Sequence, residues 1–243
     1  MNTGIADTHN LAWKLAFVLN HGVSDSLLDT YYEERAPIAK RNIEWSTENA
    51  KRFFDIHKAI HAGDHETLKI KLHEQQKNLN YEGLDLGFIY HSNAVISENN
   101  QALSVSPSKY MPTTLPGARA PYVKLLKDNE PISTLDLFEK NFVLLIGSKG
   151  EPWRIAASEL AQTLSFPLIV YSVGANGDLI NPENTWHRIY EINSEGCVLV
   201  RPDGHVAWRS PSIMENPKNE LARAFNITLN IFPIDLNKFV STQ

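Results

Sequence analysis

Five consecutive apolar residues, Phe142-Val143-Leu144-Leu145-Ile146, constrain most strongly what this chain can fold into. A run that is apolar at every position fits a strand buried on both faces, which needs a covering layer on each side. The order around it supplies those layers. Gly147 to Pro152 reads as a turn, residues 153–164 as an amphipathic helix carrying Ile155, Ala156, Leu160 and Ala161, and residues 167–173 as the next strand. A strand–helix–strand unit of this length implies parallel pairing through a right-handed crossover. Cys197 to Val200 and His205 to Trp208 then flank Arg201-Pro202-Asp203-Gly204, a turn with Pro and Gly where a tight hairpin wants them. A helix over 220–232 closes the order.

That succession is the one expected of a thioredoxin-like fold. The expected fold class is therefore α/β (α+β), with a central mixed sheet flanked by helices over residues 122–243. A mostly helical segment, 1–96, comes before it. The two are joined by an extended connector, 97–121, punctuated by Pro107, Pro112, Pro116 and Pro121. The domain boundary is expected between about residues 97 and 115.

The chain opens Met1-Asn2-Thr3-Gly4-Ile5-Ala6-Asp7-Thr8, which reads as a loop running directly into a helix. Ile5, Leu11, Ala12, Leu15, Ala16 and Leu19 form a helical stripe that predicts its buried face, and Gly22 fits the stop. Asn2 and Thr3 can leave backbone N–H groups free, and Gly4 lets another group approach closely. Such a mouth attracts an electron-rich oxygen or ring nitrogen; an ordinary capped amphipathic helix is the plainer reading. Ser24 is a good N-cap for residues 25–35, and Pro37 predicts a kink or restart. A long polar helix over 38–56 follows, anchored by Ile43, Trp45 and Phe53-Phe54. Gly63-Asp64 separates it from a charged surface helix over 65–77. Leu84 to Tyr90 and Ala94 to Ile96 read as short strands.

The 243 residues carry a net charge of −5 with both signs interspersed, so no basic stripe points to nucleic acid. No apolar run approaches the roughly 20 residues of a membrane span, and no signal peptide is evident. A cytoplasmic, soluble protein is expected. His57, His61, His65 and His73 fall at helical spacings that suit a metal, but no cysteine or closing pair of ligands accompanies them, and a solvated face with no metal is expected. Cys197 stands alone, which excludes an internal disulfide and a CxxC pair. In a thioredoxin-like fold the reactive thiol follows the first strand, at about residues 149–153, and no cysteine stands there. Asp203 and His205 could form an acid–base pair, although their place beside a hairpin turn suits a structural histidine.

The literal string Asn2-x-Gly4-x-x-Asp7-x-x-Asn10-Leu11-x-Trp13-Lys14-Leu15 resembles the end of the second flavin-binding motif of the FAD-dependent aromatic hydroxylases, the phenol and polyketide monooxygenases. Leu28-x-x-Tyr31-x-x-Glu34-Arg35-x-Pro37, Pro116-Gly117-x-Arg119-x-Pro121 and the string from Val198 to Arg209 are similar to later segments of that family. Tyr122 departs from it, standing where the family has histidine. Glu34 and Arg35 are expected to be structural charges.

The resemblance implies an FAD-dependent monooxygenase that uses NAD(P)H and O₂ to hydroxylate a phenolic or polycyclic aromatic ring. It implies that the backbone at Met1, Asn2 and Thr3, beside the small Gly4, faces the pyrimidine side of the flavin, where donors would stabilise negative charge on the reduced ring. These four residues are the expected cofactor site; no catalytic residue is assigned. The 243 residues contain no GxGxxG. The chain is therefore expected to be the C-terminal portion of such an enzyme, truncated, inactive alone, and weak or absent in FAD binding. A homodimer is a further expectation. The competing reading is a non-catalytic thioredoxin-like binding or dimerisation module.

Overall fold

The computed structural model describes residues 2–77, 80–98, 106–164 and 166–231. The described residues form two compact units. The first contains those within Met1–Glu33, Ile89–Asn99 and Pro112–Gln243, and the second those within Glu34–Phe88 and Asn100–Met111.

In the first unit, β3 (Phe142–Gly147), β4 (Leu168–Val173), β5 (Cys197–Val200) and β6 (Val206–Ser210) make a mixed sheet ordered β4-β3-β5-β6. β3 and β4 are parallel; β3–β5 and β5–β6 are antiparallel. This is the thioredoxin-like arrangement, and every residue of β3 is buried. Alternation along β3 divides its side chains between two cores. Phe142, Leu144 and Ile146 point into the core that also holds α5 (Glu151–Ala161) and α7 (Pro217–Thr228). Val143 and Leu145 point into the other, with Leu125, Leu179, Trp186 and Tyr190. Gly150 precedes α5 and Pro152 stands in its first turn, while Asn216 caps α7 by accepting from the Asn219 N–H at 3.0 Å.

α1 (Asn2–His21) belongs to this unit, and it buries a face other than the expected one. Asn10, Trp13, Lys14 and Phe17 are its buried residues, spaced i, i+3, i+4 and i+7. Ile5 is 65% exposed and Leu19 77%, whereas Trp13 is 6% and Phe17 2%. The aromatic pair outweighs the aliphatic stripe because each ring buries more apolar area and finds ring partners. Trp13 and Phe17 meet Phe142 edge-on, at centroid distances of 5.8 and 5.4 Å, and Phe142 meets Phe225 of α7 at 5.4 Å. The opening residues are helical from Asn2 rather than a loop, and Gly22, at φ +65°, ends the helix as expected.

The connector is less linker-like than its prolines suggest. Thr114, Leu115, Ala118 and Ala120 are buried. Gly117 donates to the Val206 carbonyl at 2.7 Å, Val206 to that of Ala118 at 2.9 Å, and Ala120 to that of Gly204 at 2.9 Å. Residues 117–120 thus extend the sheet along β6, as X-Pro segments with extended backbones can. Gly117 adopts φ +91°, and a Cβ there would fall 2.1 Å from the Tyr90 carbonyl oxygen. Two further elements escape the sequence pattern. β1 (Lys124–Lys127) and β2 (Glu130–Ser133) form a hairpin whose turn, Asp128-Asn129, has both φ values positive, the type I′ signature. α6 (Trp186–Tyr190) is a short helix in the second core.

The second unit contains the rest of α2 (Asp29–Ala62), then α3 (His65–Lys77) and α4 (Glu82–Leu86). Ser24 caps a 3-10 turn over Asp25–Leu28 rather than α2 itself. α2 continues through Pro37, so of the expected kink or restart the helix does not restart there; the proline, its ninth residue, removes one ladder N–H. The expected anchors Ile43, Phe53 and Phe54 are exposed, and Ile56 and Ala59 are buried instead. Residues 84–90 form no strand. Gly87 donates to Gly83 at 3.0 Å in the turn of α4, and Ile89 makes only an isolated bridge with Ala118. No strand forms at 94–96 either; Val95 instead closes a turn by donating to Ser92.

The buried face of α1 can be tested directly. Phe17→Ala should cost about 3–5 kcal/mol in denaturant unfolding. Leu19→Gln, on the exposed stripe, should stay within about 0.5 kcal/mol.

Candidate functional site: the first turn of α1 and the polar anchor beneath it

Helix geometry leaves the first four N–H groups of α1 without intrahelical partners. Asn2 and Gly4 are exposed and Thr3 is half-buried. A Cβ placed on Gly4 would meet nothing within 4 Å, and the first turn holds no acidic side chain. Met1, the other expected site residue, lies outside the described residues. Asn2, Thr3 and Gly4 are therefore neighbours on one accessible turn. Thr8 closes on that turn by donating to the Gly4 carbonyl at 2.9 Å.

Two turns further on, the same helix is tied to the hairpin between β5 and β6. Arg201 is fully buried and donates to both carboxylate oxygens of Asp203, Nε to Oδ1 at 3.0 Å and Nη2 to Oδ2 at 2.5 Å. Asn10 of α1 donates Nδ2 to Oδ2 of the same carboxylate at 3.3 Å. The Arg201 guanidinium also lies over the rings of Trp13, 5.1 Å from the centroid, and Tyr90, at 5.5 Å. Asn10 and Asp203 thus join α1 to the turn, with a cation held between aromatic faces. Sequence pattern missed this anchor because Asn10 and Lys14 are polar residues on the face that proves buried. The available signal was their spacing from Trp13 and Phe17.

His205 fits the structural reading. It is buried, its Nδ1 faces the Gly117 carbonyl at 2.9 Å, and its ring stacks on Tyr90 at 4.2 Å. Its main-chain N–H donates to Asp203 Oδ1 at 3.4 Å. Asp203 is engaged as the counter-ion of Arg201. Glu34 and Arg35 are both buried in α2, and the Arg35 guanidinium lies 5.9 Å from the Phe88 ring centroid. Cys197 opens β5 fully buried, and burial pushes its thiol well above the ordinary range even though Ser210 bonds there. The turn into α5, where a thioredoxin-like enzyme carries its nucleophile, instead places Trp153, whose Nε1 donates to the Glu195 carbonyl at 2.8 Å. Among the described residues, no group of three or more His, Cys, Asp or Glu could hold a metal ion.

Two outcomes follow from this geometry. Asp203→Ala should cost about 3–5 kcal/mol because it strands a buried guanidinium, whereas Arg201→Met combined with Asp203→Leu should cost less than Asp203→Ala alone, as read from denaturant unfolding. Cys197 should resist an alkylating reagent in the folded chain and react once the chain is unfolded, as followed by mass spectrometry.

Comparison with known proteins agrees with both halves of the chain. Residues 113–229 match the family model described as aromatic-ring hydroxylase, C-terminal. Residues 1–46 match the model of an FAD binding domain. The chain is 34% identical over 239 residues to a 4-methyl-5-nitrocatechol 5-monooxygenase of Burkholderia sp, covering 94% of this chain and 40% of that protein. It is 40% identical over 219 residues to a putative polyketide hydroxylase of Streptomyces halstedii, covering 86% and 37%. Among solved structures, the flavin-dependent monooxygenase PieE in complex with FAD and substrate superposes with a TM-score of 0.82 at 30% identity, covering 94% of this chain and 44% of that one. Aklavinone-11 hydroxylase in a ternary complex with FAD and aklavinone gives 0.72 at 33% identity, covering 95% and 40%. The chain spans about two fifths of the length of the relatives it matches. With residues 113–229 matching the aromatic-ring hydroxylase C-terminal model and residues 1–46 that of an FAD binding domain, the chain resembles the C-terminal portion of the FAD-dependent aromatic monooxygenases.

Proposed function

We propose that this chain is the C-terminal portion of an FAD-dependent, NAD(P)H-using aromatic-ring monooxygenase, and that Met1, Asn2, Thr3 and Gly4 contribute one side of its flavin site. The observation that carries the reading is Gly4. Glycine inside a helix costs about 1 kcal/mol relative to alanine. No neighbour within this chain requires its lack of a Cβ, since nothing lies within 4 Å of that position. A group approaching from outside the chain would account for it. The exposed aliphatic stripe of Ile5 and Leu19 on the same helix favours the same conclusion, because that much apolar surface invites a covering layer.

The residues fit a flavin as they stand. Main-chain donors at Asn2 and Thr3, at the positive end of α1, would hold the pyrimidine edge and favour negative charge there. Gly4 admits the ring system closely. Bound FAD supplies the redox chemistry with NAD(P)H and O₂. The substrate is proposed to be a phenolic or polycyclic aromatic compound, the class named for the relatives. The anchor of Asn10 on Asp203 keeps α1 fixed while its first turn faces the cofactor.

Two evolutionary units are proposed: a flavin-domain segment over 1–96, and a thioredoxin-like domain over 122–243 joined through 97–121. The matches at 1–46 and 113–229 support that division. The domain over 122–243 is read as a scaffold rather than a thiol enzyme, supported by the buried Cys197 and by the lack of cysteine over residues 149–153. No helix among the described residues is long and apolar enough to cross a membrane. A cytoplasmic location and a homodimeric assembly belong to the same proposal.

The isolated chain should bind FAD weakly or not at all, since it has no GxGxxG to cradle a pyrophosphate. Extended by whatever sequence its gene encodes in frame upstream, it should purify with stoichiometric FAD and oxidise NAD(P)H in response to a phenol. In that longer protein Gly4→Val should weaken FAD binding by about tenfold or more while leaving the melting temperature of the isolated chain unchanged or raised. Stoichiometric FAD on the isolated chain, or a Gly4→Val protein with full affinity, contradicts the reading.

A further inference from the structure

We propose that His57 and His61, on the last two turns of α2, form a two-ligand site for a zinc ion. The two side chains lie one helical turn apart on the same face. Their Nε2 atoms are 3.3 Å apart, with ring centroids at 4.4 Å and planes inclined by 59°. At a zinc–nitrogen distance of about 2.0–2.1 Å, a tetrahedral angle sets two ligand nitrogens about 3.3–3.4 Å apart. The pair thus already has the bite that a tetrahedral ion needs. Without metal, one Nε2 must present its lone pair to the N–H of the other. Metal binding uses both Nε2 lone pairs, so the donor ring's proton shifts from Nε2 to its Nδ1, while the acceptor ring already carries its proton there.

Three features of the surroundings favour the ion. Both imidazoles are exposed, so water can fill the remaining two positions and no charge has to be buried. His61 lies in the last turn of a 34-residue helix that ends at Ala62, with Gly63 at φ +64° closing it by donating to the Ile60 carbonyl at 3.1 Å while Asp64 donates to that of Ala59 at 3.1 Å. A dication there lies near the negative end of the helix dipole. The next carboxylate along the chain, Asp64, is occupied as a cap: its Oδ1 accepts from the Thr67 N–H at 3.0 Å. The site is therefore open, with two protein ligands, unlike the closed four-ligand sites that hold a fold together. Two imidazoles suit zinc over the hard ions magnesium and calcium, which prefer oxygen.

The test is a zinc titration of the untagged chain by calorimetry, with far-UV circular dichroism to confirm that each variant folds. One equivalent of zinc should bind and magnesium should not. His57→Ala and His61→Ala should each weaken zinc binding by about tenfold or more, while His65→Ala and His73→Ala should leave it within about twofold. Bound zinc should raise the melting temperature of the parent chain and leave that of the His57→Ala/His61→Ala chain unmoved. Unchanged binding in that folded double variant, or no binding by the parent chain up to about millimolar zinc, overturns the proposal.

Discussion

A buried guanidinium, paired with the Asp203 carboxylate and lying over two aromatic rings, is the constraint on which the arrangement of the C-terminal unit depends. Arg201 and Asp203 sit in one tight turn, and Asn10 reaches the same carboxylate from α1. Ion pairs of this kind contribute little net stability relative to apolar replacements, but they tolerate few alternative arrangements once buried. The pair therefore acts mainly on position. Trp13 and Phe17 supply the apolar area that holds α1 against Phe142, and the polar anchor selects which rotation and register of the helix is compatible with that packing.

This places the functional reading in the C-terminal sheet as much as in the helix. A first turn offered to a cofactor is useful only if it does not move when the cofactor's charge changes, because preorganised donors cost no reorganisation at that moment. The thioredoxin-like scaffold provides that rigidity without its usual chemistry. The segment over 149–153 that leads into α5 holds no cysteine, Trp153 packs on Trp208 at 5.6 Å, and the single thiol is buried in the core. The connector over 112–121 adds to the same body by pairing along β6.

The sheet was legible in the sequence because one short run, Phe142 to Ile146, could be satisfied only by cover on both faces. The strands, the α5 crossover and the hairpin at 201–204 follow from that run and from turn chemistry. The buried face of α1 was not legible from hydrophobicity. Its leucines mark a stripe that this chain leaves largely exposed, while Asn10 is buried on the Asp203 carboxylate and Lys14 beside the Trp13 ring, contacts that no periodicity measures. The strands read at 84–90 and 94–96 failed for local reasons: apolar residues at the first coincide with Gly83 and Gly87, which close a helical turn, and those at the second with a turn closed by Val95 on Ser92. Pro37 shows the converse, a helix breaker overridden by its continuing ladder. At the candidate site, the literal string at residues 2–15 pointed to the first turn. The anchor that fixes it depends on Asp203, 193 residues away in sequence from Asn10, and only the fold brings them together.

Native-state hydrogen exchange on this chain tests the central claim most directly. If α1 is an integral part of the C-terminal unit, the amides of residues 13–17 should open with the same free energy as those of β3, in one cooperative event. Exchange of those amides at the rate of a fraying surface helix, while β3 remains protected, would show that the helix is not held there and would contradict the account.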